Sequence, residues 1–403
     1  MKRILMTYFL FFVSLNYAQQ FNLEKYDTLT NDKVEISFKS VLESASTSLS
    51  NSFVNKFIIG GEISSSLINQ TSKEQKNVNR YGFDFSNQIE LNLFNFKFGE
   101  SKKYSPSITI GQTLTGGVVY SNNWFDLIFK GNETIDNEDF SGFNQRFISF
   151  QKIGLGLINT KTKSSFKINF YGINNYQSLD FSHLKIIQDN PFDSIRIQAL
   201  GDLNYNVNNQ FLNGVGVGFD LDFRHSFNLF EDEKSIFQFK VNNLGIGVIQ
   251  QNSHFHFNTD KVIEGYSMNQ ITSINNDFPL KDTLGILEER TKNKMVLLPS
   301  FYQIAKLIEV NSSKKLQSFY GVRGYINLPY MPMLFIGGNY QFFHNWSLNS
   351  QISIGGYSNA RISTGINYNG NHLQVQIGTN DIYGLVSSKG YNKSFLMSFL
   401  CGF

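Results

Sequence analysis

The chain has 403 residues, of which 41% are hydrophobic, 15% aromatic and 17% charged, with 40 Phe, 19 Tyr and a formal net charge of +3. So much Phe with so little charge excludes a disordered chain, and a single cysteine, Cys401, excludes an internal disulfide or a cysteine metal site. With Lys2 and Arg3 set aside as part of a leader, basic residues outnumber the 32 acidic ones by one, a balance with no basic field to hold nucleic acid.

Met1 to Gln20 has the three parts of an export leader: Lys2 and Arg3, an apolar run from Ile4 to Leu15, and a cleavage site at Asn16-Tyr17-Ala18. A signal peptide over 1–18 is therefore predicted, with the mature chain starting near Gln19. The apolar run is short for a bilayer core of about 30 Å, and no later stretch reaches 18 apolar residues, so helical spans are not expected. No Cys follows the cut, which excludes a lipid-anchored lipoprotein.

After the leader the apolar residues recur at period two, the spacing of strands. Residues 19–54 form an N-terminal segment that includes a weak strand candidate at 33–41, and a second weak candidate lies at 55–68. Stronger runs follow at 81–97, 106–120, 123–129 and 147–158. Further on, Leu334, Ile336, Gly338 and Tyr340 form one face of a strand. Trp346, Leu348, Ser350, Ile352 and Ile354 form the next, opposed by Asn349, Gln351 and Ser353. Ile362 to Tyr368 and Leu373 to Ile377 alternate around the turn Asn369-Gly370-Asn371, where Asn and Gly tolerate positive φ. In the last run, Phe395, Met397, Phe399, Cys401 and Phe403 share a side, and the aromatic end marks Phe403 as a candidate assembly signal read by the outer-membrane assembly machinery. The polar faces carry Asn, Gln, Ser, Thr and Gly where a soluble sandwich would carry charge. The fold class that results is all-β: a transmembrane antiparallel outer-membrane barrel over residues 55–403, in contact with outer-membrane lipid.

Such barrels keep both termini on the periplasmic side, with short turns there and longer loops outside. Running the last strand, 393–403, inward places the connections at 159–163, 230–234, 310–315, 343–345 and 369–371 inside. The segments 173–212 and 251–298, together with 381–392, fall outside. The count is 14 strands, or 16 if 33–41 and 55–68 both join the wall. The shortness of Val34 to Phe38 and the linker-like 44–52 favour 14.

Residues with chemistry to offer are few. His254 and His256 have ligand-like spacing but lack a third ligand of comparable spacing. His225 and Ser226 are adjacent and so point to opposite faces of a strand, where they cannot pair as base and nucleophile. The doublets Gly60-Gly61, Gly116-Gly117, Gly337-Gly338 and Gly355-Gly356 lie in β-patterns, and no Lys-Ser or Lys-Thr follows them. No catalytic, cofactor-binding or metal site is expected. Asp220, Asp222 and Arg224 share one face; charge on the lipid side is costly, so they are assigned to the lumen as an ion-pair cluster that orders the interior.

Several stretches resemble a Bacteroidota outer-membrane β-barrel family of unknown function, the domain-of-unknown-function family 5723. They are Phe125-Asp126-Leu127-Ile128-Phe129-Lys130-Gly131-Asn132, Asn213-Gly214-Val215-Gly216-Val217-Gly218-Phe219-Asp220-Leu221, and Val241-Asn242-Asn243-Leu244-Gly245-Ile246-Gly247. Asn367 to Asn371 and Gly378 to Gly384 continue the likeness, which spans roughly 80–386, whereas no Asn-Pro-Ala segment follows the leader. The resemblance implies an outer-membrane barrel and no activity. A looser similarity links the chain to barrels that accompany the type IX secretion and gliding machinery. The expected function is a non-enzymatic scaffold or accessory component of an envelope complex, meeting other envelope proteins through external loops. A transporter or channel for small or hydrophobic solutes is the alternative.

Overall fold

The computed structural model describes residues 33–99, 103–131, 136–188, 194–206, 211–230, 233–264, 286–308 and 315–403. The leader expected at 1–18 and the turn expected at 310–315, save its last residue, lie outside them. Seventeen strands form one antiparallel sheet. They are β1 (Val34–Ser46), β2 (Asn79–Leu93), β3 (Tyr104–Tyr120), β4 (Asn137–Asp139), β5 (Phe143–Asn159), β6 (Ser165–Gln188), β7 (Ser194–Asn206), β8 (Gly214–Phe230) and β9 (Glu233–Glu264). Then come β10 (Ile286–Leu297), β11 (Ser300–Leu307), β12 (Leu316–Ile326), β13 (Met331–Phe343), β14 (Trp346–Gly356), β15 (Ser358–Asn369), β16 (Leu373–Thr379) and β17 (Asn392–Gly402). Among the described residues four helices interrupt them: α1 (Asn51–Ile58), α2 (Ser65–Glu74), α3 (Asn122–Lys130) and α4 (Ile382–Val386).

Pairing runs β1-β2-β3-β5-β6-β8-β9-β11 and on through β12 to β17, which returns to β1 by pairing Phe38 with Phe399 and Leu42 with Phe395. The result is a closed barrel of 14 wall strands. Closure leaves each wall strand a partner on both sides, the only way a sheet can satisfy its backbone in lipid. Beyond β17, the Phe403 N–H donates to the Val34 carbonyl at 2.9 Å and its own carbonyl accepts from Lys33 at 2.7 Å, so its backbone extends the closing ladder.

The alternation decides which side chains meet lipid. Ile336 pairs with Ile352 and Ile352 with Ile362, and this row faces outward, each member more than half exposed. Across the barrel Ile153, Leu155, Phe166, Ile168 and Phe170 also face outward and are exposed. At the end that carries the termini, Trp346 and Tyr368 meet tilted at 5.1 Å beside exposed Tyr340 and Phe343, an aromatic girdle at the rim. The intervening residues Asn349, Gln351, Ser353 and Ser363 are buried inside. Among the described residues no helix is long and apolar enough to cross a membrane.

The strand count agrees with the sequence reading, but two members of the wall differ. Residues 123–129 form helix α3: Phe125 and Phe129 fall four apart on one face, and Phe125 is buried. A short apolar run fits helix or strand equally, and here packing selects the helix. Residues 55–68 belong to α1 and α2, so Gly60-Gly61 joins two helices with φ of 94° and 124° and lies in no strand. The wall begins at Val34, not at residue 55, because the 33–41 candidate is, from Val34 on, part of β1; the linker reading of 44–52 gives way to the end of β1 and the start of α1. Losing one expected strand and gaining another reverses the expected directions of 81–97 and 106–120 while preserving the count.

The two long segments read as external loops are largely strand. β6 is 24 residues long and β9 is 32, and their far halves pair with β7. β7 lies end to end with β8, and β10 with β11, so these are wall strands prolonged beyond the barrel at the end opposite the termini. There β4, β6, β7, β9 and β10 make a projecting sheet.

Candidate lumen site

The lower half of the lumen, nearer the termini, holds a cavity of about 790 Å³. Its lining runs from the turns at Asn345 and Gly370-Asn371-His372 up to Asp84, Phe301 and Tyr325. The parity that points Phe166, Ile168 and Phe170 outward turns Lys167 and Asn169 inward, and the same holds for Lys152 beside Ile153.

The three residues assigned to the lumen from sequence, Asp220, Asp222 and Arg224, are buried there. Arg224 Nη2 lies 2.8 Å from Asp222 Oδ2, to which Gln238 Nε2 donates at 3.1 Å. Asp220 pairs with Lys152 at 2.8 Å and accepts the Asn243 backbone N–H at 2.7 Å. Lys167 pairs with Glu90 at 2.6 Å and donates to Thr109 at 2.9 Å. The cluster is thus a ladder across β2, β3, β5, β6, β8 and β9, larger than the sequence reading made it. Lys152, Lys167 and Glu90 were legible in principle, since the same inward parity holds for them.

Above the cavity, side chains from different wall strands meet across the lumen. Tyr325 on β12 donates its hydroxyl to Asp84 on β2, seven wall positions away. Tyr357, on the turn between β14 and β15, reaches the opposite wall and seats its ring against Gly82 and Gly117. A Cβ on Gly82 would stand 2.3 Å from that ring, and one on Gly117 2.4 Å, so both positions require glycine for this close approach. Tyr330 packs edge-on to Tyr357 at 4.9 Å, and Arg361 pairs with Glu43 in the same layer. Ile148, Phe150, Ile173, Ile249 and Leu298 fill the other half of this level.

Over the far end, α1 and α3 dock through Phe53, Phe125 and Phe129, with ring centroids 4.7 to 5.4 Å apart. Asn51 ties α1 to the α4 segment by donating to the Gly384 carbonyl at 2.9 Å. His254 and His256 stand on the projecting sheet, and both lie within hydrogen-bond reach of one oxygen of Asp202 on β7, at 2.7 and 3.1 Å. Among the described residues no group of His, Cys, Asp and Glu is set to hold a metal ion. His225 and Ser226 are both exposed near the terminus-bearing rim.

No family model and no curated protein matches the chain. Among solved structures, the P. putida toluene transporter TodX is similar with a TM-score of 0.34 and 7% identity, over 94% of this chain and 93% of that one. The translocator domain of the autotransporter NalP from Neisseria meningitidis gives 0.30 and 8%, over 92% and 88%. The outer membrane protease OmpT from Escherichia coli gives 0.26 and 8%, over 95% and 100%. The barrel's own geometry carries the assignment. A closed, even-stranded antiparallel wall, apolar outside and polar within, is built for lipid on one face and water on the other, and the protein is a β-barrel of the bacterial outer membrane.

Proposed function

We propose that the protein is a non-enzymatic scaffold or accessory component of an envelope complex. One observation supports this above the rest: side chains from opposite walls meet across the lumen, Tyr325 with Asp84 and Tyr357 with the Gly82–Gly117 slot, leaving a barrel whose interior is built for rigidity. With periplasmic termini, the projecting sheet stands on the cell's outer face and offers a further envelope protein a rigid surface. Membership of the family of unknown function 5723, and company with the type IX secretion and gliding barrels, belong to the same proposal.

The test joins two measurements. Purified protein in planar bilayers is expected to give no steady conductance, and a photo-crosslinker at exposed Val262 on the projecting sheet is expected to capture a discrete envelope partner in native membranes. Steady conductance with no captured partner would instead support the second reading, a channel or transporter for small solutes, which the lower cavity favours.

A further inference from the structure

We infer that the lower cavity is a binding site for a small, uncharged, polyhydroxylated molecule, a sugar. Its volume of about 790 Å³ lies within the range of sites that enclose small ligands, roughly 300–1,000 Å³. The inference is independent of the scaffold reading, because a site open at the terminus-bearing end needs no passage through the barrel.

The chemistry of the lining selects the ligand class. Its strongest charges are engaged with one another, Lys152 with Asp220, Lys167 with Glu90 and Arg224 with Asp222, all at 2.6 to 2.8 Å. A charged ligand entering here would lose its hydration and find these countercharges already committed. Around and opposite that ladder the half-buried lining is mainly amide and hydroxyl, Asn87, Thr113, Gln374, Gln376 and Ser398, with Asn345 at the mouth and the two lysines Lys39 and Lys163 among them. Such amides and hydroxyls offer donors and acceptors together, as a polyol requires, since each of its hydroxyls both gives and takes a hydrogen bond.

Two features of the inner end complete the match. Phe301 and Tyr325 meet edge-on at 5.5 Å and give the cavity an aromatic floor, on which the C–H face of a sugar ring can rest. Beside them Asp84 accepts from the Tyr325 hydroxyl with one oxygen, while Oδ1 has no partner within the protein. A ligand hydroxyl that reached this buried oxygen would supply the donor it lacks. Toward the mouth, the buried Nε2 atoms of Gln374 and Gln376 on β16 likewise have no partner within the protein.

The experiment uses the full mature chain in detergent and saturation-transfer NMR with glucose, maltose and N-acetylglucosamine, set against glutamate, lysine and inorganic phosphate. Saturable binding of at least one sugar is expected, weakened about tenfold by Gln374→Leu and by Asp84→Asn. Heat-modifiable migration confirms that each variant is folded. Gln374 is half-buried at the cavity wall, so its variant tests the site even if Asp84→Asn fails to fold. The inference is overturned by preferential binding of a charged probe, by the absence of binding to every sugar at millimolar concentration, or by sugar binding that the folded variants leave unchanged.

Discussion

Gly82 and Gly117 show how one absent side chain shapes the lumen. Their missing Cβ atoms make the slot that receives Tyr357, so Gly82→Ala forces the ring back into a layer already filled by Tyr330 and Arg361. Overpacking of this kind costs about 1–3 kcal/mol. The midpoint of urea unfolding in lipid is expected to fall accordingly, and adding Tyr357→Ala to Gly82→Ala should remove the clash, leaving the double change less costly than the two singles together. On the projecting sheet, Asp260 accepts from Arg196 Nε and Nη2, both at 2.6 Å, and from Gln198 Nε2 at 3.0 Å; these bonds hold its carboxyl at about 2. The folded value is depressed, so whatever the pair contributes is present above the ordinary Asp range and is lost as pH falls through about 2. Isotope-edited infrared titration should find this carboxylate still ionised at about pH 3, and Arg196→Ala should return it toward the ordinary Asp value of about 3.9.

Helix α3 is held at the far end of the barrel by the aromatic contacts of Phe125 with Phe53 and Phe129. Truncating a buried Phe to Ala costs about 3–5 kcal/mol, and here the loss falls on an element outside the closed ladder. Phe125→Ala is therefore expected to raise hydrogen exchange across 122–130 and α1 while leaving β13 to β15 protected. Uniform loss of protection would mean that the cap and the wall unfold as one unit. The misreading of 123–129 as a strand has its cause in this contact. Seven residues with apolar character satisfy either period, and packing against distant residues such as Phe53, 72 positions earlier, tips the balance toward helix. The long segments 173–212 and 251–298 were opaque for a related reason. Their strands pair with one another beyond the membrane, where no lipid face enforces strict alternation, so period two fades although the hydrogen-bonded ladder continues.

For the molecule as a whole, the outer belt is what commits it to lipid. Ile352 sits in the middle of the Ile336–Ile352–Ile362 row, and Ile352→Lys should destabilise the folded barrel by about 2–4 kcal/mol, whereas the inward neighbour change Gln351→Asn should be far milder. Equal effects at the two positions would contradict the assignment of faces.

Alternation within single strands was enough, in the sequence alone, to mark a barrel, to place Asp220, Asp222 and Arg224 inside, and to point the Ile row at lipid, because in a strand the identity of each face is a local property. Only the tertiary structure decided which segment closes the wall, which partners the buried charges take and which side chains meet across the lumen. Tyr325 and Asp84 are 241 residues apart, and Arg361 and Glu43 are 318 apart. Such pairs meet only after the sheet has curled and closed, and no periodicity along the chain encodes which residues then face each other across the interior.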